Sequence, residues 1–248
     1  MKRRFCLMAL LAMFVPSVTH AAVTMSFSAG NTPPTVGPLD QYNFLSDATV
    51  PGGSAPGGGT YNSQNYSDNG GPPGQTFRTP AGATPYKLQA ISLLAVGDGG
   101  GGVFDSGTWS LRVSSVAGTT LTPIATLTGI ANLGSNANDK TEGWLKFSLT
   151  GADSPTLNPN ADYAFELFSA NGWQGFDATQ SDAGYANGTA FNSAGGARSF
   201  ADATLGNLAN HGYDRTFHVA LSAVPEPAAG LLAVVGLVGL LANRRRLK

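Results

Sequence analysis

Thr108-Trp109-Ser110-Leu111-Arg112-Val113-Ser114-Ser115-Val116 is the stretch that decides the fold. In an extended chain successive side chains point to opposite faces, so Trp109, Leu111 and Val113 share one face and Ser110, Arg112 and Ser114 the other. The same alternation sets Leu145, Phe147 and Leu149 against Trp144, Lys146 and Ser148, and it returns at Phe217, Val219 and Leu221. Runs of β-formers bounded by Gly, Asn, Asp and Pro predict strands at 75–79, 86–96, 108–116, 121–127, 144–150, 161–169 and 216–223, with shorter ones at 23–28 and 41–45. No stretch between Gln75 and Ala223 carries a helical period with caps. The expectation is an all-β chain forming one antiparallel β-sandwich, with a jelly roll as the architecture that fits many short strands and turn signals.

Working outward, residues 31–85 are dense in turn formers, among them Pro51-Gly52-Gly53-Ser54-Ala55-Pro56-Gly57-Gly58-Gly59 and Gly70-Gly71-Pro72-Pro73-Gly74. Such stretches bury little and predict long loops. The division expected is therefore a leader at 1–21, a Gly/Pro-rich part with short strands and long loops at 22–74, a sandwich core at 75–223 and a tail at 224–248.

The two ends carry address signals. Lys2-Arg3-Arg4 precede an apolar run from Phe5 to Val15, and Thr19-His20-Ala21 offers the small residues a signal peptidase needs, which predicts cleavage between Ala21 and Ala22. At the other end Pro225-Glu226-Pro227 leads into an apolar stretch from Ala228 to Ala242, then Arg244-Arg245-Arg246. As a transmembrane helix, 15 residues would rise about 22 Å against a hydrocarbon core of roughly 30 Å, which suits a temporary anchor with its arginines held in the cytoplasm. This tail resembles the PEP-CTERM sorting signal. The resemblance implies transient inner-membrane insertion, recognition by an exosortase, and delivery to the cell surface or an extracellular polysaccharide matrix. Pro73-Gly74-Gln75-Thr76-Phe77, Leu157-Asn158-Pro159-Asn160-Ala161-Asp162-Tyr163 and Asp214-Arg215-Thr216-Phe217 are similar to jelly-roll domains that precede this signal, which implies a lectin-like shape.

Charge and cysteine usage narrow the function classes. Seven of the 14 Lys and Arg residues sit in the first four and last five positions, whereas all 15 Asp and Glu residues lie between, so the middle of the chain carries a net charge of −8. That balance argues against a polyanion such as nucleic acid as a partner. The single cysteine, Cys6, falls in the leader. An exported domain without cysteine must then hold together by its core.

Motifs for catalysis are thin. Gly97-Asp98-Gly99-Gly100-Gly101-Gly102 fits a dinucleotide pattern, yet Val103 to Val113 reads as turn and strand where the chemistry needs a helix N-terminus. Phe104-Asp105-Ser106-Gly107-Thr108 resembles an aspartic-protease triplet, but it occurs once and doubles as an ordinary turn. His211 is expected in a loop and His218 outward, with no further ligands for zinc. Asp177 and Asp182 near Glu166 could supply a glycosidase carboxylate pair. Asp98 with Asp105, or Asn138 with Asp139 and Glu142, could hold calcium, although no loop has EF-hand spacing. The expectation is a protein without cofactor or resident metal that is not an enzyme, the alternative being a glycoside hydrolase or polysaccharide lyase on the same fold.

A sugar face is the best-supported ligand. Trp173 lies in Asn171-Gly172-Trp173-Gln174-Gly175-Phe176-Asp177, where glycines flank a large ring on an expected loop, with Asn171, Gln174 and Asp177 as hydrogen-bond partners. Tyr185 follows in a second Gly-rich loop. Trp144, outward beside Lys146, is the alternative stacking surface, and the competing reading of Trp173 is a core plug.

Overall fold

The computed structural model describes residues 23–30, 32–44, 74–95, 108–131, 133, 143–168, 185–191 and 214–225, together with the strand backbone of 54–55, 59–60, 64–65, 96, 173–176 and 178–179. The predicted leader, the PEP-CTERM-like stretch from Glu226 onward with its Arg244-Arg245-Arg246 cluster, and the apolar segment 228–242 lie outside the described residues. No helix among the described residues is long and apolar enough to cross a membrane.

In chain order the strands are β1 (Thr24–Ala29), β2 (Gln41–Asn43), β3 (Ser54–Ala55), β4 (Gly59–Thr60), β5 (Gln64–Asn65), β6 (Gly74–Arg78), β7 (Tyr86–Val96), β8 (Thr108–Ala117) and β9 (Thr120–Ala131). They continue with β10 (Gly143–Ser148), β11 (Thr156–Leu157), β12 (Asp162–Phe168), β13 (Trp173–Phe176), β14 (Ala178–Thr179), β15 (Ala190–Phe191), β16 (Asp214–Arg215) and β17 (Phe217–Ala223). Every predicted run coincides with a strand, and all the pairings are antiparallel.

Two sheets carry the fold. Across the middle of the larger one the strands run β1, β10, β7, β17, β2, with β11 and β13 pairing to the two ends of β7 and β5 beyond β13. The smaller sheet runs β15, β6, β12, β8, β9. The Gly/Pro-rich N-terminal part therefore supplies β1, β2 and β5 to the larger sheet.

Between the sheets lies one apolar core. Leu88, Ile91, Leu93, Leu145, Phe147, Phe217 and Val219 from the larger sheet meet Phe77, Trp109, Leu111, Val113, Phe165 and Leu167 from the smaller. Trp109 reaches Phe147 with ring centroids 6.4 Å apart, and Phe165 reaches Phe217 at 6.0 Å. These are contacts between layers, so the molecule is a β-sandwich.

Local chemistry explains the joints. Gly118 has φ +61 in the two-residue turn from Ala117 to Thr120, a conformation the primed hairpin turns require. On β7, Leu88 and Ile91 both point inward although three residues apart, because the register slips opposite Ala220 and Leu221 and leaves Gln89 as the extra residue. That bulge restores the inward phase of a long strand. The edge strand β9 has Pro123 and two register shifts against β8, devices that keep an exposed edge from templating further strands.

Candidate functional site

The face of the larger sheet that points away from the core has a continuous row of side chains. Strand register places Ser26 opposite Lys146, Lys146 opposite Ser92, Ser92 opposite His218 and His218 opposite Tyr42, one residue from each of β1, β10, β7, β17 and β2. Period-2 alternation puts the first four together, since each neighbours a residue of the core or packed against it: Phe27, Leu145 or Phe147, Ile91 or Leu93, and Phe217 or Val219; Tyr42 joins them by its register with His218.

Beside this row lie the aromatics. Trp144 belongs to β10 and Phe44 follows β2, yet their rings meet edge to face with centroids 5.5 Å apart. Strands β7 and β17 separate them, roughly 14 Å at ordinary strand spacing, so both side chains must lean across the sheet toward each other. Phe44 also lies 6.0 Å from the His218 ring and 4.7 Å from Tyr42. Tyr42 is the member that meets solvent, at 45 % exposure.

Beneath the rings His218 is anchored by Asp40, with Nε2 to Oδ2 at 2.8 Å. The same carboxylate accepts from the amides of Gly37 at 2.7 Å and Leu221 at 2.9 Å, which fastens the 37–40 turn and the start of β2 onto β17. Burial alone would raise the Asp40 pKa, but the Leu221 and Gly37 amides and the His218 ring together hold it below the usual carboxylate range. Two polar groups on this face are buried and have no partner among the described residues: the indole N–H of Trp144 and the hydroxyl of Ser92. Both atoms are shielded from solvent, so neither is an open donor on this face.

Several expectations are corrected. Trp144 does face away from the core, but Phe44 covers it and it is 4 % exposed, so it cannot offer an open ring to a sugar as expected. His218 likewise points outward from the core yet is buried over Asp40. Tyr185 is part of the core cluster, edge to face with Phe217 at 5.1 Å, and is removed as a stacking surface. Its hydroxyl donates to Gln41 Oε1 at 3.0 Å and accepts from the Arg78 amide at 3.2 Å; burial, foremost, pushes its pKa up to about 12. Trp173 and Gln174 stand on a strand rather than a loop, paired to Asn65 and Gln64. Asn171, Asp177, Asp182, His211 and the proposed calcium ligands Asp98, Asp105, Asn138, Asp139 and Glu142 lie outside the described residues.

Glu166, the third carboxylate of the supposed cleft, is instead ion-paired with Arg112, whose Nε donates to its Oε2 at 2.6 Å, and both are almost wholly buried on the outer face of the smaller sheet. No group of three or more His, Cys, Asp and Glu side chains able to hold a metal occurs among the described residues. A shallow pocket of about 410 Å³ between β1 and β9 is lined by Val23, Thr126 to Ile130 and Asp153, without an aromatic ring.

Comparison with known proteins adds little. No protein-family model matches the chain, and no curated protein matches it. One similar solved structure is the crystal structure of the cysteine protease and lectin-like domains of Cwp84, a surface layer associated protein of Clostridium difficile. The two share 6 % identity with a TM-score of 0.34, over 63 % of this chain and 33 % of that one, so the chain spans about a third of its length. No role is carried over from it.

Sequence reasoning missed Tyr42 and Phe44. The signal was there: within the expected strand at 41–45, two aromatics two residues apart must share a face.

Proposed function

We propose that this chain is an exported, non-enzymatic β-sandwich protein, inserted transiently in the inner membrane, processed by an exosortase and delivered to the cell surface or extracellular polysaccharide matrix. There it acts as a structural or adhesive element that contacts polysaccharide weakly. Its terminal signals support export and sorting. The jelly-roll form of the sandwich is supported by a chain that passes repeatedly between layers, β6 in the smaller sheet, β7 in the larger, β8 and β9 in the smaller, β10 in the larger, β12 in the smaller and β17 in the larger.

The observation that carries the binding reading is the exposed Tyr42 ring resting on the Phe44–Trp144 bridge, with the exposed Lys146 and Ser26 further along the same face. A sugar offers an apolar ring face to stack and oxygens to accept hydrogen bonds. One exposed ring supplies a modest energy, so single-site dissociation constants of about 10 µM to 1 mM are expected, corresponding to roughly 4 to 7 kcal/mol, with strength in the matrix coming from many copies. Glu166, which a hydrolase or lyase reading would need, is engaged by Arg112.

Tyr42→Ala should lower retention on the producer's own polysaccharide several-fold while leaving the circular dichroism spectrum unchanged. Undiminished retention of the folded variant would remove Tyr42 from the contact.

A further inference from the structure

Charge is unevenly distributed over the described surface. Among the described residues the cations are Arg78, Lys87, Arg112, Lys146 and Arg215. Arg78 is paired with Asp162 and Arg112 with Glu166, both on the smaller sheet, and Arg215 is buried. The two lysines lie on the outer face of the larger sheet. Lys146 is exposed in the middle of the cross-strand row. Lys87 alternates outward between Tyr86 and Leu88 on the same β7 that carries Ser92, and its Nζ donates to a carbonyl, that of Ser154, at 3.0 Å.

Carboxylates are distributed the other way. Of the described acids, Asp40 is the one on this face, and its oxygens already accept from His218, Gly37 and Leu221. Asp162 and Glu166 belong to the smaller sheet, Asp153 to the pocket beside β9, and Asp214 is buried among Gln75 and Tyr185. What the face offers a ligand is one exposed ammonium, that of Lys146, beside the exposed hydroxyls of Ser26 and Ser28, which both donate and accept. A neutral sugar is usually held by carboxylate or amide acceptors as well as donors, because its hydroxyls donate. Here the exposed charge is a cation, and the described carboxylate on the face is already engaged, so the complement is an anion.

Resting on the polysaccharide reading above, we propose that this face selects a carboxylated saccharide chain, one of the uronate type. A sugar carboxylate is held at Lys146, and a ring further along the same chain stacks on Tyr42. The row from Lys146 to Tyr42 crosses three strand spacings, roughly 14 Å, a span that calls for an oligosaccharide instead of a single ring. The overall negative charge does not oppose this at contact distance. At physiological ionic strength charges further than about 8 Å are screened, so the nearby lysine dominates. A uronate polymer carries one carboxylate per ring, a lower charge density than duplex DNA with one charge per about 1.7 Å.

The test compares the secreted protein, its Lys146→Gln variant and its Tyr42→Ala variant on immobilised polygalacturonate and on dextran, at one physiological salt concentration. The expected result is stronger retention on polygalacturonate, reduced about five- to tenfold by Lys146→Gln, with retention on dextran weak and untouched by that substitution. Equal retention on both polymers, unchanged in Lys146→Gln, overturns the selection by charge and leaves the aromatic contact standing. Absence of retention on either polymer by the folded protein overturns both.

Discussion

Phe147→Ala should lower the free energy of unfolding by about 3 to 5 kcal/mol in a denaturant titration. The ring is fully buried, lies opposite Ile91 on one side and Met25 on the other, and touches Trp109 across the two layers. Truncation therefore removes apolar burial and leaves a void that neither sheet can close, because both are pinned by hydrogen bonds to their neighbours. With one cysteine in its sequence, the chain has no internal disulfide to compensate. A loss below about 1 kcal/mol would mean that Phe147 does not join the layers.

Arg112→Met should be comparably damaging, by about 3 to 5 kcal/mol, for a different reason. Arg112 and Glu166 face each other across β8 and β12 and are both almost fully shielded from water. Removing the guanidinium leaves a buried carboxylate without its cation, and the cost is that of an uncompensated charge. The double variant Arg112→Met/Glu166→Met should recover most of the loss, since two apolar side chains of similar length have no charge to desolvate. A double variant as unstable as the single one would show that the damage comes from lost packing.

The long strands were legible because each has one face in the core, and burial writes itself into sequence as period-2 alternation. That is why 86–96 was read with the bounds the structure has, and why Trp109, Leu111 and Val113 were placed together. The short strands left no such mark. Trp173–Phe176 and Gln64–Asn65 pair through backbone groups, which any residue provides, and their glycine-rich surroundings read as loop.

The site was less legible than the fold. Strand alternation told correctly which way Trp144 and His218 point, but not that something covers them, because the covering residues are remote in sequence. Trp144 meets Phe44, and His218 meets an aspartate 178 residues away. Tyr185 was misread for the same reason: its partners Gln41 and Phe217 come from opposite ends of the chain. A polar tip and flanking turn residues look alike on a core plug and on a binding loop.

The most direct measurement of the central claim is a titration of the protein, labelled at its tryptophans, with oligogalacturonates, followed by the indole N–H resonances in NMR. The sequence has three tryptophans, Trp109, Trp144 and Trp173, and Trp144→Phe assigns the peak in question. Stacking on Tyr42 predicts that the Trp144 resonance moves, because Tyr42 touches Phe44 and Phe44 touches Trp144, while that of Trp109, buried in the core, stays still. Movement of the Trp173 resonance alone, or of none of the three, would contradict it.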